Sequence, residues 1–483
     1  MNARELIAAL VEDWCSWDIP VAPQPVHADL GAFDPERLDS GAHSDYAEQL
    51  ARAAERTGVD ESILTGVGMV TAPDTGDRFP LVLIVSEFGF LGGSIGRVAG
   101  TRVVAALQRA TARGLPVLAL PASGGTRMQE GTPAFLQMAA ITAAVNAHKA
   151  AGLPYLAYLR HPTTGGVLAS WGSLGHVVWG APGALIGFLG PKVATTLRGE
   201  AFPPGVQQAE NLYRHGVLDG VVDVDDLPAR VARLLAVWRA EADPLEVPRS
   251  WARTSGHPEN AWSAVQQSRK PDRPGLDWML DAVPFAPIVD HGPVQVALVQ
   301  LGGHAVVMVG TDGPTQRAGE AIDVAALRAA RRGIALAAEL QLPLLTVIDT
   351  HGAQLSVRAE EEGLAAEIAH CLSDFLAAPV PTVSVLTGAG AGGAALALFP
   401  ADLVIATSDG WLAPLPPEGS AALVYGDPGR APDLAQAQHI WAVDLHRAGL
   451  VDILATGRAQ ILDYVVEYLD PGPRPRPERR SNR

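Results

Sequence analysis

Cysteine is almost absent: Cys15 and Cys371 are the only two in 483 residues. They are too far apart for a metal-ligand spacing, and so sparse a set excludes a disulfide framework and points to a reducing compartment. Aromatic residues are scarce at 6%, so Ala, Val and Leu must build the core. Basic charge is the third shortage. Thirty-six Lys and Arg stand against 52 Asp and Glu, a formal net charge of −16, which leaves no basic face for a nucleic-acid backbone. The one basic run, Arg474, Arg476, Arg479, Arg480 and Arg483, is interleaved with Pro and is expected as a disordered tail over 466–483. Long apolar runs are missing too. The longest weakly polar stretch, Val177 to Pro191, is broken by Gly and Pro and is too short to span a bilayer. The opening MNARELIAALVEDWC lacks the basic-then-apolar pattern of a secretory signal. A cytoplasmic protein with neither a membrane nor a nucleic-acid partner is expected.

What the chain does have is length, glycine and repetition. Its 483 residues are too many for one core, and a hydrophobic content of 48% excludes disorder throughout. The strand-like LPVLALPASGG opening at Leu115 returns as LPLLTVIDTHG at Leu342, an offset of 227. Gly165-Gly166 meets Gly392-Gly393, and Pro182-Gly183 meets Asp409-Gly410, at the same offset of 227. Between these landmarks each half runs strand, Gly-rich turn, Arg and Glu-Gly, Ala-rich helix, strand. The Arg and Glu-Gly are Arg127 with Glu130-Gly131, and Arg358 with Glu362-Gly363. Alternating strands and helices imply parallel crossover units. Two homologous α/β domains are therefore expected at 46–238 and 276–465. A Pro- and charge-rich linker at 239–275 and a helical extension at 1–45 complete the chain.

Each glycine pair follows a strand and opens a helical run. That place leaves backbone N–H groups free at the positive end of a helix dipole, and lets a carbonyl approach without a Cβ in the way. Two such amides aimed at one oxygen form an oxyanion hole; alternatively, Gly-Gly simply allows close helix–strand packing. Other chemistry is poorly supported. GAGAGG has no Lys-Ser/Thr after it and no acidic residue in the dinucleotide-binding place. The 13 His form no metal-binding pair. Ser123 and Ser170 do not stand in G-x-S-x-G. Glu360, Glu361 and Glu362 read as a solvated helix start, and no side-chain general base stands out.

The first half resembles the β subunit of bacterial acetyl-CoA carboxylase carboxyltransferase. The carrying segments are FGFLGGSIGRVAG (88–100), ASGGTRMQEG (122–131), PTTGGVLAS (162–170), and ALIGFLGPKV with FPPGVQQAENL (184–212). The second half is similar to the α subunit through AWSAVQQSRKPDRPGLDWM (261–279), IDTHGAQLSVRAEEEG (348–363), GAGAGGAALAL (388–398) and PPEGSAALVYGD (416–427). The resemblance implies two tandem crotonase-type (ββα superhelix) domains related by internal duplication. It implies transfer of CO2 from carboxybiotin, supplied by a separate carrier protein, to acetyl-CoA or a related acyl-CoA, giving malonyl-CoA. Gly165 and Gly166 would hold the thioester enolate, and Gly392 and Gly393 the biotin ureido oxygen. Gly92, Gly93, Ser94, Ser123, Gly124, Gly125 and Arg127 would bind acyl-CoA; Gly352, Glu418 and Gly419 would join Gly392 and Gly393 around biotin.

The implied partners are a biotin carboxyl carrier protein and a biotin carboxylase, in a homodimer of this chain. No metal is implied, and no nucleotide cofactor beyond the CoA substrate. The chain departs from the family in lacking the four cysteines of an N-terminal zinc ribbon, in His351 where Pro is usual, and in Ser420 where Cys is common. None of its methionines is followed by Lys, so biotin must arrive on another chain. Two other readings of the same residues are a biotin-independent decarboxylase of a malonyl thioester and a catalytically silent subunit of a carboxylase complex.

Overall fold

The computed structural model describes residues 1–18, 41–190, 195–196, 199–200, 202–239, 258–290 and 292–470, with side chains from 46 onward in the second of these segments and without that of Arg458. The tail beyond 470, residues 240–257 of the expected linker and residues 19–40 of the expected extension lie outside this set. The chain divides into two compact units, Met1–Ala232 and Arg233–Arg483.

The first unit is built on a seven-stranded sheet of order β1-β2-β3-β4-β5-β7-β9. Its strands are β1 (Glu12–Ser16), β2 (Ile63–Thr71), β3 (Arg78–Ser86), β4 (Val117–Leu120), β5 (Tyr155–Leu159), β7 (Val177–Gly180) and β9 (Gly220–Val221). The first three pair antiparallel and the remainder parallel. The sequences VLAL and YLAYL are buried at every position, because a parallel strand covered on both faces leaves no room for polar alternation. Helices α3 (Arg97–Ala112) and α4 (Gly131–Ala150) supply Val103, Leu107, Ile141 and Val145 to one core with Val82, Ile84 and Val117.

The second unit carries an eight-stranded sheet with the path β10-β11-β12-β13-β14-β15-β17, and β16 pairing with β14 off that path. These are β10 (Phe285–Val289), β11 (Val294–Leu301), β12 (His304–Thr311), β13 (Leu344–Thr350), β14 (Thr382–Ala391), β15 (Leu403–Thr407), β16 (Trp411–Ala413) and β17 (Ile453–Ala455). The duplication holds in three dimensions. Val117 and Leu344 open β4 and β13, and Tyr155 and Thr382 open β5 and β14, both at the offset of 227. The parallel bridge Ile95↔Thr126 recurs as Ile322↔Ala353 at the same spacing.

Two boundaries differ from expectation. The first residues do form a helix, α1 (Ala3–Leu10), capped by Asn2 and Glu5 and burying Leu6, Ile7 and Leu10. They continue into β1, which extends the sheet by pairing antiparallel with β2. The stretch 258–275 is not connector. Asn260 caps a helix over Ala261–Ser268, and its Val265 packs with Trp411, Ala389 and Ile440 of the second unit. Pro and charge on either side hid a short amphipathic helix.

Candidate functional site

In the first unit the chain leaves β5, forms β6 (Thr163–Thr164) alongside β8 (Ile186–Gly187) in parallel, and turns into a short helix at Gly165–Val167. Gly165 has φ +63, a conformation that L side chains resist. Its N–H continues the β6–β8 ladder by donating to the Phe188 carbonyl at 3.0 Å. That donor is therefore engaged. Among the described residues nothing accepts from the N–H of Gly166. Beyond it the helix widens over Leu168–Gly172, and the Ser170 hydroxyl donates to the Gly166 carbonyl at 2.5 Å.

Gly165 and Gly166 line a cavity of about 870 Å³ together with Gly92, Ser94 and Gly124. The rest of the wall is largely apolar: Phe88, Leu91, Met128, Phe135, Met138 and Phe188, among others, and no charged side chain among the described residues. The remaining expected contacts lie beneath the wall. Gly125 (φ +111) lets the loop press on the turn; a Cβ there would sit 3.5 Å from the Gly166 nitrogen. Gly93 packs on the Ala122 carbonyl, and the Ser123 hydroxyl accepts from the Gly125 N–H at 3.0 Å.

Arg127 corrects the sequence reading. It is 1% exposed, paired with Glu61 and, at 3.3 Å, with Glu130. It also donates to the Ser94 carbonyl at 2.8 Å. Burial works against its charge, but hydrogen bonding and attraction from Glu61 outweigh that and hold the guanidinium above its ordinary value. Glu130 in turn accepts from the Arg97 N–H at the start of α3, 2.6 Å, and from Tyr46 Oη, 2.7 Å. Arg127 thus fastens the cavity loop from below and offers nothing to a ligand. Its expected counterpart Arg358 is a surface residue making an i, i+4 pair with Glu362 at 2.6 Å.

The second unit repeats the backbone but not the lining. Gly392 has φ +68 and opens the helix Gly392–Leu396; Gly352 has φ +117 and faces the Ala391 carbonyl. Beside this turn is a pocket of about 270 Å³ lined by Arg269, Arg317, His351, Trp411 and Pro416. Glu418, expected to bind biotin, is gripped by Arg269 through two bonds of 2.5 and 2.9 Å, and this holds its carboxyl below the ordinary range. Gly419 is exposed, with open space where a Cβ would be. Arg273 pairs with Asp409 and approaches Asp349 to 3.9 Å. Burial, then the nearby Arg317, Arg269 and Arg273, push the His351 imidazole toward its neutral form. The sequence reading passed over the roles of Arg269, Arg273 and Arg317, although SRKPDRPG displays two of them. Their distance in sequence from the glycine turn is what concealed them.

The frame is built twice, with one apolar and one guanidinium-rich pocket, each beside a glycine turn. Residues 36–235 match the carboxyl transferase domain family, and residues 290–458 match the acetyl co-enzyme A carboxylase carboxyltransferase-like family. The chain is 49% identical to the probable biotin-dependent acyl-coenzyme A carboxylase beta3 subunit of Mycobacterium bovis, over 91% of this chain and 89% of that protein. It is 36% identical to the acetyl-coenzyme A carboxylase carboxyl transferase subunits beta/alpha of Salinispora arenicola, over 84% and 75%. A transcarboxylase 12S structure superposes with a TM-score of 0.74 at 19% identity, covering 99% of this chain and 92% of that one; at that identity it speaks for the crotonase-type fold alone. The chain belongs to the carboxyltransferases of biotin-dependent acyl-CoA carboxylases, with the β-type half first and the α-type half second. Among the described residues there is no cluster of His, Cys, Asp and Glu that could hold a metal, and no helix long and apolar enough to cross a membrane.

Proposed function

We propose that this chain moves the carboxyl group of carboxybiotin, borne by a separate carrier protein, onto the α-carbon of acetyl-CoA or a related acyl-CoA, with malonyl-CoA as the product from acetyl-CoA. The carrying observation is the Gly166 N–H, unengaged among the described residues, at the wall of a largely apolar cavity. A thioester oxygen placed there receives a backbone donor as it gains negative charge, while the apolar wall accepts the acyl and pantetheine chains. The ureido oxygen of biotin takes the equivalent place beside Gly392 and Gly393. In the transfer the N1–carboxyl bond breaks and CO2 is released. The α-proton passes to the vacated N1, and the enolate carbon closes on CO2. The chain's own work is alignment and stabilisation of two oxyanions, a task that backbone amides perform without a side-chain base.

The same reading gives the assembly. Large apolar side chains stand exposed around each turn: Met128 (83%), Phe135 and Phe188 in the first unit, Leu355 (94%), Val357 and Leu423 in the second. Surfaces of that kind are interaction sites, and pairing the first unit of one copy with the second unit of another brings an acyl-CoA site to a biotin site. Light scattering should return twice 50.5 kDa; a fully active monomer would remove this part of the reading. The chemistry is tested by mixing the chain with biotinylated carrier, its biotin carboxylase, ATP, bicarbonate and acetyl-CoA. Carrier-dependent malonyl-CoA is expected, whereas CO2 release from malonyl-CoA without any biotin would favour the decarboxylase.

A further inference from the structure

Ser170 stands in no hydrolase elbow, and its hydroxyl is committed elsewhere. A hydroxyl has one proton to donate. Ser170 directs it to the Gly166 carbonyl at 2.5 Å, ahead of the Val167 carbonyl and Met138 Sδ, both at 3.4 Å. The side chain is buried and lines the first cavity beside Gly165 and Gly166. The bond matters because glycine has no strong conformational preference of its own. The direction of the Gly166 N–H is therefore set by what anchors the peptides on either side of it. Before it, the Gly165 N–H is held by the Phe188 carbonyl at 3.0 Å. After it, the anchor is Ser170.

The second unit meets the same need without a side chain. Gly393 and Ala397 stand 227 residues beyond Gly166 and Ser170. There the Ala397 N–H donates to the Gly393 carbonyl at 2.9 Å, an ordinary α-helical bond. The first unit's helix is instead widened over Leu168–Gly172, which parts carbonyls from the amides that would meet them in an α-helix. Hydroxyls take over. Ser173 donates to the Leu168 carbonyl at 2.6 Å and Tyr155 to that of Trp171 at 2.9 Å, as Ser170 does to that of Gly166.

We propose that Ser170 is a positioning residue for the enolate hole of the first unit: its hydroxyl, acting through the Gly166 carbonyl, keeps the Gly166 N–H aimed at the thioester oxygen. The proposal rests on the placement of acyl-CoA in the first cavity. Such preorganisation is felt as charge develops on the oxygen, not when the neutral thioester binds, so rate and affinity should part.

The test is carrier-dependent carboxylation of acetyl-CoA by the full-length chain, with biotin carboxylase, ATP and bicarbonate. Ser170→Ala should lower kcat about 10-fold, the effect of one hydrogen bond. Acetyl-CoA affinity by calorimetry should stay within about twofold. Ser170→Cys keeps the shape but is a weak donor, and should be as slow. Ser170→Thr, whose hydroxyl also reaches a carbonyl four residues back, should recover most of the rate. Wild-type kcat in the Ala and Cys variants overturns the proposal, and these two decide alone if the Thr variant does not fold. A folded Thr variant as slow as Ala, or kcat lost in step with acetyl-CoA affinity, overturns it too. A wild type that makes no malonyl-CoA but releases CO2 from it refutes the transfer reading alone. Decarboxylation passes through the same enolate, so Ser170→Ala must then slow that release, and an unslowed release overturns this proposal. A wild type inert toward both acetyl-CoA and malonyl-CoA removes the two together.

Discussion

At equivalent places on the two frames the backbone is nearly superimposable in conformation: φ is +111 at Gly125 and +117 at Gly352, +63 at Gly165 and +68 at Gly392. The side chains around those glycines diverge completely. The first turn opens on Phe, Met and Leu, the second on arginine and histidine. Buried charge has changed sides as well. The first unit sinks Arg127, Glu61 and Glu130 beneath the cavity, where they brace a loop. The second gathers Arg269, Arg273 and Arg317 at or just behind the pocket. Duplication preserved the glycine turn, and the side chains around it diverged in polarity.

The largest expected effect comes from breaking the first unit's buried brace. Arg127→Met leaves Glu61 and Glu130 buried and unpaired, and urea unfolding should show a loss of about 3–5 kcal/mol. Next is the hole itself. Gly166 does not have positive φ, and a Cβ there would sit 3.3 Å from Thr126 Oγ1 and 3.4 Å from Met138 Cγ. The further methyls of Gly166→Val therefore intrude on the cavity rather than strain the backbone. Carboxyl transfer should fall about 10²-fold or more with the far-ultraviolet circular dichroism retained; wild-type rate would remove Gly166 from the chemistry.

A third effect is a pH dependence confined to the first core. His148 is fully buried between Thr111 Oγ1 at 2.9 Å and the Pro154 carbonyl at 3.2 Å, and burial lowers its pKa to about 4. Its folded value lies below the unfolded value of about 6.5, so its contribution is complete above pH 6.5 and is lost as pH falls toward 4. The loss should approach about 3 kcal/mol. His148→Gln should flatten that part of the stability profile; an unchanged slope would show that other groups cause it. The smallest effect is the control for the first. Arg358→Met removes one exposed pair with Glu362 and should leave stability essentially unchanged. Equal losses at Arg127 and Arg358 would erase the contrast between the halves.

The 227-residue register was legible because strands and turns repeat the same small and apolar residues, and the bridges at Ile95 and Ile322 fall where it puts them. The glycine turns were legible for the same reason. What sequence spacing did not carry was depth. Arg127 in a Gly-rich loop reads as a ligand contact, since nothing local announces that Glu61, 66 residues earlier, reaches it through the core. Nor does a Gly-Gly pair disclose that one of its amides is engaged by Phe188. Arg269 and Arg273 stood in a stretch whose Pro and charge suggest a connector, and only the packing of Val265 on Trp411 shows that it belongs to the second site.

The division of labour between the halves is tested most directly by acyl-CoA binding to Gly393→Val. A Cβ at Gly393 would already sit 3.1 Å from two Ile368 carbons, so valine disturbs the second turn and leaves the residues of the first cavity in place. Titration calorimetry should give wild-type affinity for acetyl-CoA while carboxyl transfer falls about 10²-fold or more. Loss of acetyl-CoA binding, with inhibition by biotin retained, would show that the two halves hold the opposite ligands.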